Sequence, residues 1–129
     1  MQLPGEITAR YLPIERPRVL TGAIPYIVCL CGSTRFYKQF REANLAYTLD
    51  GCIVLSIGCD TKADGDIPFG EDIELIKEGL DYLHKRKIDL ADYVYVLNVG
   101  GYIGDSTRSE IMYAASIGKP IGYLESCRG

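Results

Sequence analysis

An α/β fold built on a mostly parallel sheet is predicted by three observations. Strand-like apolar runs alternate with amphipathic stretches of helical period along the chain. The runs are continuously apolar, as in parallel strands covered on both faces. At 129 residues and 47% hydrophobic content, the chain suits one compact domain with a substantial core. Alternation of this kind implies right-handed βαβ crossovers. The expected architecture is a flavodoxin-like or Rossmann-like three-layer sandwich, with four or five strands in the order 2-1-3-4.

The elements follow in order. Four of the six prolines, Pro4, Pro13, Pro17 and Pro25, fall in the first 25 residues, which predicts an extended amino-terminal arm over 1–25. That arm would pack on the single domain, 26–129, or on a neighbouring subunit. "YIVCLC" (26–31) reads as the first strand. A helix over 34–49 follows, with Phe36, Phe40, Ala43 and Tyr47 on its inner face and Arg35, Lys38, Arg41 and Glu42 toward solvent. Asp50 and Gly51 stop it. "CIVLSIG" (52–58) is the second strand, and the polar "CDTKADGDIPFGED" (59–72) is long for a connection. Its Asp60, Asp64 and Asp66 lack calcium-loop spacing and read as a solvated loop. Ile73, Ile76, Leu80 and Leu83 mark a second helix that ends near the basic "HKRK". "DYVYVLNVGG" holds the third strand, a third helix turns Ile111, Ala114 and Ala115 inward, and "PIGYLE" is the fourth strand.

Composition narrows the partners. A net charge of -3 and a pI near 5.1 leave no basic footprint for a nucleic-acid polymer, while small anions stay open to local donors. Five cysteines are present without a C-x-x-C pair. Cys29, Cys31 and Cys52 lie in apolar runs and read as buried thiols, so neither zinc nor another metal or cofactor is expected. With no signal-like apolar stretch and no run of membrane length, a cytoplasmic protein without membrane contact is expected.

In doubly wound sheets, ligands bind beyond the carboxyl ends of the strands where strand order reverses. Here that point lies between the first and third strands, so "CGSTR" (31–35) and "NVGGYIGDST" (98–107) should converge. Gly32, Ser33, Thr34 and Arg35 can cradle a phosphate or carboxylate, or Ser33 and Thr34 can simply cap a helix. Neither G-x-x-x-x-G-K-[ST] nor G-x-G-x-x-G occurs, which argues against a P-loop nucleotidase or a dinucleotide oxidoreductase. Glu110 also has two readings. "TRSE" (107–110) matches a capping box. A carboxylate near a helix amino terminus is equally a nucleophile kept ionised by the dipole. His84, the single histidine, reads by itself as a surface cation at a helix end.

Taken together, "CGSTR", "HKRKIDLADYVYVLN" and "GYIGDSTRSEIMYAASIGKPIGYL" resemble the nucleoside 2-deoxyribosyltransferase-like superfamily over residues 26–124. The likeness is to a small bacterial and phage branch, related to the nucleoside 5'-monophosphate N-glycosidases. It implies cleavage or transfer at the N-glycosidic bond. In that family a Glu at the start of a G-x-x-E-x-x-x-A type helix attacks the anomeric carbon, and a second acid protonates the departing base. Water or another base then resolves the glycosyl-enzyme, the two-step logic of a retaining glycosidase. The Glu position matches Glu110, followed by Tyr113 and Ala114. The second acid stands eight residues before the Asp of "AD"; counted from Asp92 this is His84, whose imidazolium can donate a proton.

"GDSTRSE" is more polar than the family's glycine-rich approach, and Asp105 would repel a phosphate. The resulting expectation makes Glu110 and His84 catalytic. Gly32, Ser33, Thr34 and Arg35 form the anion cradle, and Asn98, Tyr102, Asp105 and Ser106 contact sugar or phosphate. The partner is a small nucleoside or nucleotide, and the assembly a homodimer or larger homo-oligomer. The alternatives are a non-catalytic nucleotide-binding module, in which Glu110 only caps its helix, and a glycohydrolase acting on a dinucleotide such as NAD.

Overall fold

A computed structural model of the chain describes Tyr11, residues 24–57 and residues 73–126. Among the described residues from 24 on, four strands, β1 (Ile27–Cys31), β2 (Ile53–Leu55), β3 (Tyr93–Val96) and β4 (Ile121–Tyr123), alternate with three α-helices, α1 (Tyr37–Leu49), α2 (Ile73–Leu90) and α3 (Asp105–Ser116). All pairings are parallel, in the order β2-β1-β3-β4. This is the predicted strand order, flanked by helices as in a flavodoxin-like sandwich.

Strand residues alternate between faces, and each face builds its own core. Val28 and Leu30 of β1, with Tyr95 and Leu97 at β3, pack against Phe40, Ala43, Ala46 and Tyr47 of α1. Cys29 and Cys31, with Val94 and Val96, face Ile88 of α2 and Ala114 of α3 on the other side. Two continuous cores therefore need apolar runs rather than an apolar/polar alternation, as the sequence of β1 and β3 shows. At the start of β3, Asp92 ties the strands together. Its Oδ2 accepts from the Ile27 amide at 2.9 Å, and its own amide donates to the Ile27 carbonyl at 2.8 Å.

The helices depart from the sequence reading in informative ways. A 3₁₀ turn (Thr34–Phe36) precedes α1, so Phe36 lies before the helix and Ala46 takes an inward position. Asp50 closes α1, and Gly51 turns away from it at φ 88°. α2 does not end at "HKRK" but runs on to Leu90, because no breaker intervenes and Ile88 finds a buried place. Its inward face passes through Leu80, His84 and Ile88, while Leu83 is 51% exposed. In α3, Ala114 is buried but Ala115 is exposed; Thr107 and Glu110 take the inward positions instead.

Of the expected amino-terminal arm, Tyr11 and residues 24–25 are described. Tyr11 has helical backbone where the prolines predict an extended chain, and it packs edge-on against Tyr95 inside the α1-side core. Its hydroxyl donates to Glu42 at 2.9 Å, and its carbonyl accepts from the Tyr47 hydroxyl at 2.8 Å. The acidic cluster of Asp60, Asp64 and Asp66, with Cys59 and Cys127, lies outside the described residues. Among the described residues, no helix is long and apolar enough to cross a membrane.

Candidate functional site

β1 and β3 are neighbours in the sheet, yet the chain leaves them toward opposite layers, α1 on one face and α3 on the other. The gap between their carboxyl ends is therefore left open, which is where the topology places a ligand site. A cleft of about 270 Å³ opens there. Gly32, Ser33 and Thr34 form one wall, Tyr102 and residues 104–107 another, and Lys77, Leu80 and Asp81 of α2 a third; His84 and Glu110 lie at its floor.

Gly32 makes the first wall possible. A Cβ there would stand 3.2 Å from both Leu97 Cβ and the Leu97 carbonyl oxygen, so the turn out of β1 can hug β3 without a side chain. Ser33 caps the 3₁₀ turn, its Oγ accepting from the Arg35 amide at 3.3 Å, and still faces the cleft. The capping and ligand-facing readings of "GST" are thus compatible. Arg35 stands outside the lining. Its guanidinium stacks on the Tyr102 ring at 4.3 Å, bracing a cleft-wall side chain.

Asn98 departs from its expected role. It is buried, donates to the Glu125 carbonyl at 3.0 Å and accepts from the Glu125 amide at 2.9 Å, and it does not line the cleft. Its side chain joins the end of β3 to the segment after β4. The other expected contacts, Tyr102, Asp105 and Ser106, do line the cleft.

The capping box is absent at α3. The helix begins at Asp105 with Gly104 as its N-cap and no side-chain cap bond, which places Glu110 in the second turn. Instead of turning back along its helix, Glu110 lies 3.9 Å from Nε2 of His84; the two residues are 8% and 5% exposed. Burial is the largest influence on Glu110 and raises its pKa, against the opposing pull of His84. The expectation of a carboxylate governed by the helix dipole gives way to desolvation, which dominates in the second turn.

His84 is no surface cation either. Burial alone would depress its pKa, but the hydrogen bond with Cys29 and the charge of Glu110 together raise it. Its Nε2 also meets Cys29 Sγ at 3.7 Å and Cys31 Sγ at 3.4 Å. Between the thiols, a hydrogen bond from Cys31 pulls Cys29 down to about 6 and drives Cys31 well above the ordinary thiol range.

Two groups of residues escape a sequence reading. Lys77, Asp81 and His84 recur at i, i+4 and i+7 on α2, a spacing that could have marked a cleft-facing stripe had the inward face been centred on His84 rather than Leu83. The meeting of Cys29 and Cys31 with His84 had no local signal, since more than fifty residues separate the thiols from the imidazole. Chemically, the floor holds a carboxylate and an imidazole backed by two buried thiols, while the walls offer hydroxyls, one ammonium and two further carboxylates. No protein family, curated protein or solved structure matched the chain when it was compared with each.

Proposed function

We propose that the cleft cleaves or transfers the N-glycosidic bond of a nucleoside or nucleoside 5'-monophosphate, as the resemblance to the nucleoside 2-deoxyribosyltransferase-like superfamily implies. The observation that carries this reading is the Glu110–His84 pair, 3.9 Å apart at the floor of a cleft lined by hydroxyl groups. A Glu110 oxygen attacks the anomeric carbon as the bond from that carbon to the base nitrogen breaks, and the base leaves with a proton from His84. Water, or a second base, then attacks the same carbon, gives its proton to the now neutral His84 and returns Glu110 to a carboxylate. Burial raises the Glu110 pKa and the neighbouring His84 opposes it, so the carboxyl is poorly hydrated and lies beside the one cationic group that favours its ionised, nucleophilic form.

Ser33, Thr34 and Lys77 suit a phosphate at the far end of the substrate, with Asp105 opposing it. Asp81 is placed to serve as an alternative proton donor, since it lines the cleft three residues before His84 on α2. Exposed Leu83, Leu90, Met112 and Ile117 on and after α2 and α3 suit self-association into a dimer or larger homo-oligomer. Buried Cys29 and Cys31, outside any disulfide, suit a reducing cytoplasm.

The test is incubation with a panel of nucleosides, 5'-monophosphates and NAD, followed by chromatography for free base. Release is expected, reduced at least ~10³-fold by Glu110→Gln and about 10²-fold by His84→Gln. A comparable loss with Asp81→Asn and none with His84→Gln would move the acid role to Asp81. Release untouched by Glu110→Gln would sink the nucleophile assignment. No release from any substrate would favour a nucleotide-binding module.

A further inference from the structure

One nitrogen at the cleft floor has too many partners for one proton. Cys29 Sγ at 3.7 Å, Cys31 Sγ at 3.4 Å and Glu110 Oε1 at 3.9 Å all converge on His84 Nε2. A ring N–H donates one good hydrogen bond, so hydrogen bonding alone leaves most of this convergence without a purpose. The donor atoms of Cys29, Cys31 and His84 lie within 4.8 Å of one another, and all three residues are buried.

We propose that Cys29, Cys31, His84 and Glu110 form a binding site for a thiophilic divalent cation of the zinc class. Zinc bonds to sulfur at about 2.3 Å and to imidazole nitrogen at about 2.0 Å, which at the tetrahedral angle separates S from N by about 3.5 Å. The two observed separations, 3.7 and 3.4 Å, bracket that value. Cys29 and Cys31 are two residues apart on β1 and point to the same face of the sheet, where α2 and α3 supply His84 and Glu110. Cys29, Cys31 and His84 make a three-donor cluster whose softness selects zinc over magnesium or calcium, and Glu110 Oε1, 3.9 Å from His84 Nε2, is placed to supply a fourth ligand. A cation can enter through the cleft, because His84 and Glu110 line it. On binding, the metal displaces the thiol protons to solvent.

The metal site and the proposed reaction share Glu110 and His84. Zinc bound there engages the nucleophile and the acid together, so on the reading given above the loaded protein is the inactive form. The metal site itself needs no part of that reading.

The full chain, with Cys59→Ser and Cys127→Ser as background, is stripped of metal and titrated with Co(II) and then Zn(II). The expected result is one equivalent bound with sub-micromolar affinity, and a Co(II) spectrum with thiolate charge-transfer and intense tetrahedral d–d bands. Cys29→Ser and Cys31→Ser each weaken binding at least ~10-fold, as loss of a metal ligand or its support does. Cys52→Ser, on the opposite face of the sheet, leaves it unchanged. X-ray absorption of the zinc-loaded parent needs no further variant and is expected to count two sulfurs with two light atoms. Absence of a one-equivalent site, or a first shell without sulfur, overturns the proposal. Stoichiometric binding without base release from the metal-free protein leaves the metal site standing and removes the reaction. Base release without metal binding does the reverse.

Discussion

Gly32 follows β1 where the chain passes close to Leu97 at the end of β3. A Cβ at that position would press at 3.2 Å on Leu97 Cβ and on the Leu97 carbonyl oxygen, and the carbonyl belongs to backbone that cannot swing aside. Gly32→Ala is expected to destabilise the protein by about 1–3 kcal/mol, the range for forcing an extra carbon into a packed site. A lowered urea midpoint at unchanged slope checks this, whereas an unchanged midpoint would mean that the turn yields. Glu110 teaches the complementary lesson. Its local context, "TRSE", suits a cap, but a carboxylate's chemistry is set by what lies within a few ångströms. An imidazole 3.9 Å away and a thiol hydrogen-bond partner, both contributed by other elements, act on it.

Among the elements, α2 carries the largest consequence of a small angular error. Ile76, Leu80 and Leu83 suggest an inward face, and "HKRK" suggests an end, yet the helix continues to Leu90 and rolls so that His84 and Ile88 meet the sheet. Ile88 is fully buried and Leu83 half exposed. Ile88→Ala is therefore expected to cost about 2–5 kcal/mol and Leu83→Ala no more than about 0.5 kcal/mol. Paired thermal melts decide between the two faces, and equal losses would restore the one centred on Leu83. Lys85 and Lys87 explain why a basic run sits inside a helix. Lys85 donates to Ser109 Oγ at 2.8 Å and Lys87 to the Ser56 carbonyl at 2.7 Å, so both ammonium groups tie α2 to its neighbours. Arg86 and Asp89 reach Tyr113 in the same way, linking α2 to α3 along their outer edge.

For the molecule as a whole, the first residues of the chain belong to the fold at one point at least. Tyr11 is buried among Tyr47, Tyr95 and the α1 side chains, and exchanges hydrogen bonds with Glu42 and Tyr47. Tyr11→Ala is expected to cost about 3–5 kcal/mol, as truncation of a buried aromatic does. A denaturation midpoint indistinguishable from the parent would contradict that packing. The order β2-β1-β3-β4 matters at this scale because it opens the sheet between β1 and β3, and every group of the candidate site hangs on that gap.

Fold class, strand order and the convergence of "CGSTR" with "GYIGDST" were legible in the sequence. They depend on periodicity and chain order, which a parallel sheet with right-handed crossovers translates into space almost without choice. Ser33, Thr34, Tyr102, Asp105 and Ser106 followed directly, being attached to strand ends. Asn98 did not, because a loop asparagine serves a ligand or a neighbouring backbone equally well until Glu125 is seen beside it. The roll of α2 was not legible either, since a few tens of degrees about a helix axis leave its periodicity unchanged while exchanging Leu83 for His84. That rotation brought one imidazole against two thiols and a carboxylate. Apolar patterning by itself determined the layers and where they open. Which polar groups share the floor of the opening was decided by tertiary packing, because hydrogen-bond and metal-ligand geometry depends on distances of a fraction of an ångström between residues far apart in the chain.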